Sequence, residues 1–363
     1  MKTVLKSFTL CAATAAIIVS ASAQERVVNV YNWSDYIDES ILADFTKETG
    51  IKVVYDVFDS NEILETKLLA GGTGYDIVVP SGTFLGRQIK AGVFQPLDKS
   101  KLTNATNLWD EVQKRTEVYD PGATYSINYM WGTTAIGYNI KAAQERIGGV
   151  PVSWDTIFDP EKLAKFADCG VHMLDAPEEM VPAALNYLGK NPDSKDAADI
   201  EAAGELLAKI KPSIQKFHSS EYINALANGD ICLAVGWSGD VFQARDRAAE
   251  AKAGVEVGYT IPQEGAQMWF DQMAIPADAK NVEEAHEFLN YIMRPEVIAK
   301  ASNYVYYANG NQASKPLLEK DVLEDPAIYP DEATMAKLYT TTPFDARSQR
   351  TLTRTWTRVK TGQ

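Results

Sequence analysis

The chain has 363 residues, 45% of them hydrophobic, and a formal net charge of −14. That length is large for one core and comfortable for two. The acidic balance argues against nucleic acid or an anionic membrane as a partner and suits a cationic ligand. In chain order, Lys2 and Lys6, an apolar run over 10–19 and Ala21-Ser22-Ala23 read as an export signal over 1–23. The apolar run is too short to span a bilayer and no later stretch approaches that length, so no direct membrane insertion is expected. Cys11 follows Leu10, which is not small, and precedes most of the apolar run. It is therefore read as leaving with the signal rather than as a lipid anchor. Loss of Lys2 and Lys6 leaves 33 basic against 49 acidic residues, a net charge of about −16.

The first hundred mature residues alternate strand and helix signals. Strands are predicted over 27–31, 51–55 and 75–79, and helices over 38–47, 61–70 and 84–91, with Gly50 and Gly71-Gly72 as C-terminal stops. Such alternation predicts a parallel sheet with helices on both faces, and ligands bind beyond the C-terminal ends of its strands. Trp33-Ser34-Asp35 and Pro80-Ser81 fall there. The glycine- and aromatic-rich stretch 125–139 leads into a second α/β region. Helices are expected there near 161–166, 181–188 and 199–209, then a strand at 231–235 and a helix running to 253. Strands at 258–261 and 273–275 and a helix at 282–293 follow. The fold expectation is two α/β lobes joined by more than one crossing, lobe 1 being 24–130 plus 257–305 and lobe 2 being 131–256 plus 306–363. A cleft between them would set the Trp33 loop opposite the Trp237 loop.

Three segments repeat one chemistry. Asn32-Trp33-Ser34-Asp35-Tyr36, Gly236-Trp237-Ser238-Gly239-Asp240 and Trp269-Phe270-Asp271 each place an indole two or three residues from an aspartate. An aromatic face attracts a cation and covers methylene groups, and a carboxylate hydrogen-bonds an ammonium. Together they point to an aliphatic amine. A single such pair could equally be a core tryptophan beside a turn or capping aspartate. Cys169 and Cys232 are the mature cysteines. In an oxidising compartment they form either a disulfide, worth roughly 4 kcal/mol by chain entropy, or two buried thiols. His172, His218 and His286 lack metal-ligand spacing and are read as structural. The 236–240 segment nearly fits a nucleophile elbow, but Asp240 takes the final glycine's place, and no phosphate loop or dinucleotide fingerprint appears. Neither an enzymatic reaction nor a cofactor is expected. Tyr306-Tyr307 leaves one rival, a ferric-ion receptor.

Several runs resemble the periplasmic polyamine-binding proteins of ABC transporters, especially the putrescine binders. They are Tyr31-Asn32-Trp33-Ser34-Asp35-Tyr36-Ile37, Val57-Phe58-Asp59-Ser60-Asn61-Glu62, Val78-Val79-Pro80-Ser81, Leu174-Asp175-Ala176-Pro177-Glu178-Glu179, Phe217-His218-Ser219-Ser220, Leu226-Ala227-Asn228-Gly229-Asp230-Ile231-Cys232 and Arg354-Thr355-Trp356-Thr357-Arg358-Val359-Lys360. The resemblance covers essentially the whole mature chain. It implies a type II periplasmic binding protein fold whose two lobes close on a hinge, and a monomer that carries putrescine or spermidine to an inner-membrane permease. Ser34, Asp35 and Ser81 are implied as first-lobe polar contacts, Glu179 and Asp240 as second-lobe carboxylates, and Asp271 as the carboxylate gripping an amine. Trp33, Tyr36, Trp237, Trp269 and Tyr307 are implied as aromatic walls, and Cys169 and Cys232 as a bonded pair. Trp269 stands where putrescine-preferring relatives resemble one another in having phenylalanine, whereas Glu179 resembles the putrescine side, so polyamine length stays open. A polyamine sensor docking to a signalling receptor would use the same binding chemistry.

Overall fold

The computed structural model describes residues 25–252 and 254–362, so the expected export signal and Cys11 lie outside the described residues. Strand β1 (Val27–Trp33) pairs in parallel with β2 (Lys52–Phe58) and with β3 (Ile77–Val78). Between them run α1 (Glu39–Thr49) and α2 (Asn61–Ala70), and α3 (Gly82–Lys90) follows β3. The termini of α1 have local causes. Asp38 accepts the Ser40 N–H at its start, and Gly50 at φ 71° takes the left-handed turn at its end, a conformation glycine adopts without a Cβ penalty. The strand expected over 75–79 shrinks to two residues because Asp76 turns its carboxylate inward. It accepts N–H groups from Asn29, Lys280 and Asn281.

The stretch 125–139, read only as glycine- and aromatic-rich, is one strand, β4 (Ser126–Asn139), buried over all but its last residue. It is followed by β5 (Val171–Met173), β6 (Lys216–Phe217), β7 (Leu233–Trp237), β8 (Val257–Thr260), β9 (Gln267–Ala274) and β10 (Ala308–Asn309). All ten strands form one sheet in the order β2-β1-β3-β9-β4-β7-β5-β6, with β8 and β10 also on β4. β4 is antiparallel to β9 over Ser126–Thr134 and to β7 over Thr134–Tyr138. It thereby joins the parallel β2-β1-β3 group to the parallel β7-β5-β6 group, the mixed α/β architecture of a two-lobed binding fold.

The remaining helices used below are α4 (Pro177–Tyr187), α5 (Glu221–Asn228), α6 (Ser238–Glu250), α7 (Val282–Ile292) and α8 (Ala346–Thr361). Cys169 and Cys232 are disulfide-bonded, with Cα atoms 5.7 Å apart, which settles the choice left open between a bridge and two thiols. The bridge fastens the turn before β5 to the residue before β7, holding two neighbouring parallel strands at their N-terminal ends. Among the described residues no helix is long and apolar enough to cross a membrane.

Candidate ligand-binding site

The C-terminal ends of β1, β3 and β7 and the middle of β9 converge on one chamber of about 440 Å³, part of it open to solvent. β1 ends on Trp33, whose indole N–H donates to the Val79 carbonyl at 2.9 Å and whose ring leans on Phe58. That sets its ring centroid 5.5 Å from that of Trp237, which ends β7, with the ring planes at 74°. Trp269 lies on β9 across from Gly132 of β4. A Cβ at Gly132 would stand 2.7 Å from the Trp269 ring, so only glycine lets the indole lie against the sheet. Tyr307 packs edge-on to both Trp269 and Tyr36. At Gly239 a Cβ would come within 2.5 Å of the Tyr307 ring.

Three of the four carboxylates lining this aromatic box are held by hydroxyl or indole donors. Asp271 accepts the Ser81 hydroxyl at 2.6 Å and the Tyr36 hydroxyl at 2.8 Å. Ser81 begins α3 but makes no capping bond with its side chain; Asn61 hydrogen-bonds both its hydroxyl and its N–H, aiming it at Asp271. Asp240, in the first turn of α6, accepts the Tyr307 hydroxyl at 2.6 Å and the Tyr222 hydroxyl at 2.8 Å. Tyr222, on α5, also takes the Trp237 N–H at 3.0 Å and so ties strand end to helix start. Glu179, in the first turn of α4, accepts the Trp237 indole N–H at 2.8 Å and the Thr134 hydroxyl through the same oxygen.

Burial pushes all three carboxyls up, Asp271 and Glu179 to about 7 and Asp240 to about 6, against the lowering effect of their donors. The charges also raise one another: Asp240 acts on Asp271, and Asp271 on Glu179. None of the twelve residues lining the chamber is basic. Such a box lacks positive charge and has apolar walls for whatever carries it. Ser81→Ala removes one of the two donors to Asp271. It is expected to cost about 0.5–1.5 kcal/mol of ligand affinity, the range for one hydrogen bond, measured by isothermal titration.

Ten of the eleven expected residues line this chamber: Trp33, Ser34, Tyr36, Ser81, Glu179, Trp237, Asp240, Trp269, Asp271 and Tyr307. Asp35 does not. Its backbone takes φ 54°, and its carboxylate turns out to Arg247 of α6 at 2.6 Å, at a side-chain exposure of 40%. Two positions also differ from the turn or loop setting expected for the aspartates, since Asp271 lies inside a strand and Asp240 inside a helix. Asp59 and Ser219 line the chamber and were not singled out. Both sit in runs that carry the family resemblance, which was the available signal. Tyr222 and Thr134, which hold Asp240 and Glu179, left no signal. The adjacent Tyr306 and Tyr307 do not converge on one ion: Tyr307 donates to Asp240, whereas Tyr306 faces Asp246 and Arg245.

Residues 40–330 match the family model of bacterial extracellular solute-binding proteins. The chain is 54% identical over 352 residues to the putrescine-binding periplasmic protein PotF of Escherichia coli (strain K12), covering 96% of this chain and 95% of that protein. It is 53% identical over 360 residues to the putrescine-binding periplasmic protein SpuD of Pseudomonas aeruginosa (strain UCBPP-PA14), covering 98% of each. Among solved structures it is similar to the spermidine/putrescine ABC transporter substrate-binding protein PotD of Streptococcus pneumoniae. That similarity has a TM-score of 0.76 at 32% identity and covers 92% of this chain and 98% of that one. The chain belongs to the bacterial extracellular solute-binding proteins.

Proposed function

We propose that this protein captures a linear di- or polyamine, putrescine foremost and spermidine next, in the periplasm and delivers it to the permease of an ABC transporter. The observation that carries this is the charge of the chamber: four carboxylates, Asp240 and Asp271 buried and Glu179 and Asp59 part-buried, between tryptophan and tyrosine walls, with no basic residue among the described lining residues. Unpaired, they cost desolvation; an ammonium at each end of a short aliphatic chain neutralises them, while the indoles cover its methylenes. The names carried by the relatives, putrescine binding for two at over 50% identity, support the same ligand class and the same compartment.

In this reading Asp271 grips one ammonium, with Ser81 and Tyr36 fixing its carboxylate. Asp240 and Glu179 take the other end, and Trp33, Trp237, Trp269 and Tyr307 exclude water. Ser34 supplies a polar edge. The lobes are 24–130 plus 257–305 and 131–256 plus 306–363, and closure swings them about the crossings within β4, at the start of β8 and just before β10. Asp35 and Arg247 then act as a clasp between lobes rather than as ligand contacts, since they belong to opposite halves. No chemical step is assigned to the carboxylates, whose donors hold them in place as acceptors. The protein works as a monomer. Isothermal titration of refolded, ligand-free protein with putrescine, cadaverine, spermidine and spermine tests the reading. Saturable binding of at least one is expected, and heat indistinguishable from dilution with all four would overturn it.

A further inference from the structure

Tyr306, the half of the tyrosine pair that does not line the chamber, ends the helix Pro295–Val305 at φ 58° and ψ 30°, its N–H donating to the Ser302 carbonyl at 2.8 Å. Glycine is the usual residue at such a left-handed helix end, because it has no Cβ to clash there. A tyrosine keeps that strain, so something outside the turn has to hold it. The holder is α6. The Arg245 guanidinium lies over the Tyr306 ring, 5.5 Å from its centroid, and over the Phe242 ring at 4.7 Å. Arg245 is itself fixed by Asp246 at 3.1 Å and by Asp325 at 3.6 Å. One residue on, the same helix takes the other tyrosine. Tyr307 donates to the Asp240 carboxylate at 2.6 Å and accepts the Asp240 N–H at 3.1 Å. The Val305 carbonyl also lies against the start of α6, 2.6 Å from where a Cβ on Gly239 would stand. Only Tyr306 and Tyr307 separate the helix from β10, which is paired to β4, so the turn at Tyr306 decides where Tyr307 points. In a strand neighbouring side chains point to opposite faces; here the left-handed turn sets both rings against one helix.

We infer that Tyr306 is a positioning residue for the amine site: its ring, clamped by Arg245, holds the left-handed turn that keeps the Tyr307 hydroxyl on Asp240. The inference rests on the reading of Asp240 as an amine carboxylate and adds what keeps its hydroxyl donor in register. The α6 helix thereby grips both tyrosines, Tyr307 through a carboxylate in its first turn and Tyr306 through a guanidinium further along. A cation over an aromatic face is attracted to it, so the clamp holds the ring without needing its hydroxyl.

The test is a double-mutant cycle read by isothermal titration with putrescine. Tyr306→Gly suits the left-handed turn and deletes the ring, so it removes the clamp without adding backbone strain. Putrescine Kd is expected to rise about tenfold or more in Tyr307→Phe, which loses a hydrogen bond to a charged group, and about fivefold in Tyr306→Gly, which only loosens it. Within Tyr307→Phe, adding Tyr306→Gly is expected to cost about twofold or less, because the hydroxyl it registers is already gone. Tyr306→Phe keeps the ring beneath Arg245 and is expected to bring Kd back to within about twofold of wild type. If Tyr306→Gly does not fold, Arg245→Ala removes the clamp from the other side and takes its place in the cycle. Equal costs with and without the Tyr307 hydroxyl, no cost in Tyr306→Gly, or Tyr306→Phe as weak as Tyr306→Gly would each overturn the positioning role and leave the amine chamber standing. Wild type that binds no amine overturns the proposed function and this inference with it.

Discussion

Asp271→Ala is expected to weaken putrescine binding by ~2–5 kcal/mol, a rise in Kd on the order of 30- to 4,000-fold. The size follows from the position of the carboxylate. Asp271 is 4% exposed, on a central strand, with both oxygens committed to hydroxyl donors from different segments of the chain. Those donors orient the carboxylate before any ligand arrives, so an ammonium meets a fixed acceptor and little ordering is left to do. Removal leaves a buried ammonium without its partner and orphans the hydroxyls of Ser81 and Tyr36. Asp271→Asn separates the two contributions, since it keeps an acceptor for Ser81 and deletes the charge. A titration that finds Asp271→Ala within twofold of wild type sinks the assignment. The matching control is Asp35→Asn. Because that carboxylate faces Arg247 at the surface, its loss is expected to cost no more than about 1 kcal/mol. If Asp35→Asn proves as damaging as Asp271→Ala, the family resemblance was the better guide at that position.

The contrast between those two aspartates shows what the sequence could and could not disclose. Both stand near a tryptophan, and both read as amine contacts. One lies on β9, where the alternation of side chains aims it into the chamber. The other sits where the chain turns through φ 54° and points it away. No local pattern encodes that difference, because an aspartate tolerates the left-handed region without announcing it. Elements with end signals were readable: α2 runs Asn61–Ala70 as expected, from a Ser60 cap to Gly71. β4 was not, since its buried residues mix Ser126, Asn128, Thr133 and Thr134 with apolar ones and so show neither alternation nor an apolar run, and its role depends on partners about a hundred residues away or more. The donors were the least legible part. Tyr222 reaches Asp240 and Thr134 reaches Glu179 only once helix and strand have packed, so neither tyrosine nor threonine stands out among its kind.

Affinity for putrescine is expected to fall at least about tenfold between pH 8 and pH 5.5, from protonation of the same carboxylates that make the chamber acidic. In the ligand-free protein Asp271 and Glu179 titrate at about 7 and Asp240 at about 6, so near pH 5.5 the empty chamber holds protons where an ammonium has to sit. Binding must then expel them, and each is a competitor for the ligand. The sign for stability is the opposite. A buried acid whose folded value lies above its unfolded value of roughly 4 binds more protons when folded, so these groups destabilise the ligand-free protein as pH rises from about 4 to 7. Ligand cancels that loss by pairing the charges. The rise in melting temperature produced by saturating putrescine should therefore be larger at pH 8 than at pH 5.5, with ligand-free protein gaining from acid what liganded protein gains from amine. Thermal scans at the two pH values, with and without putrescine, measure both signs at once. Equal ligand-induced shifts would mean that the three carboxylates are already ionised in the empty chamber. Their burial would then be relieved by water, and the charge of the ligand would contribute less than its shape.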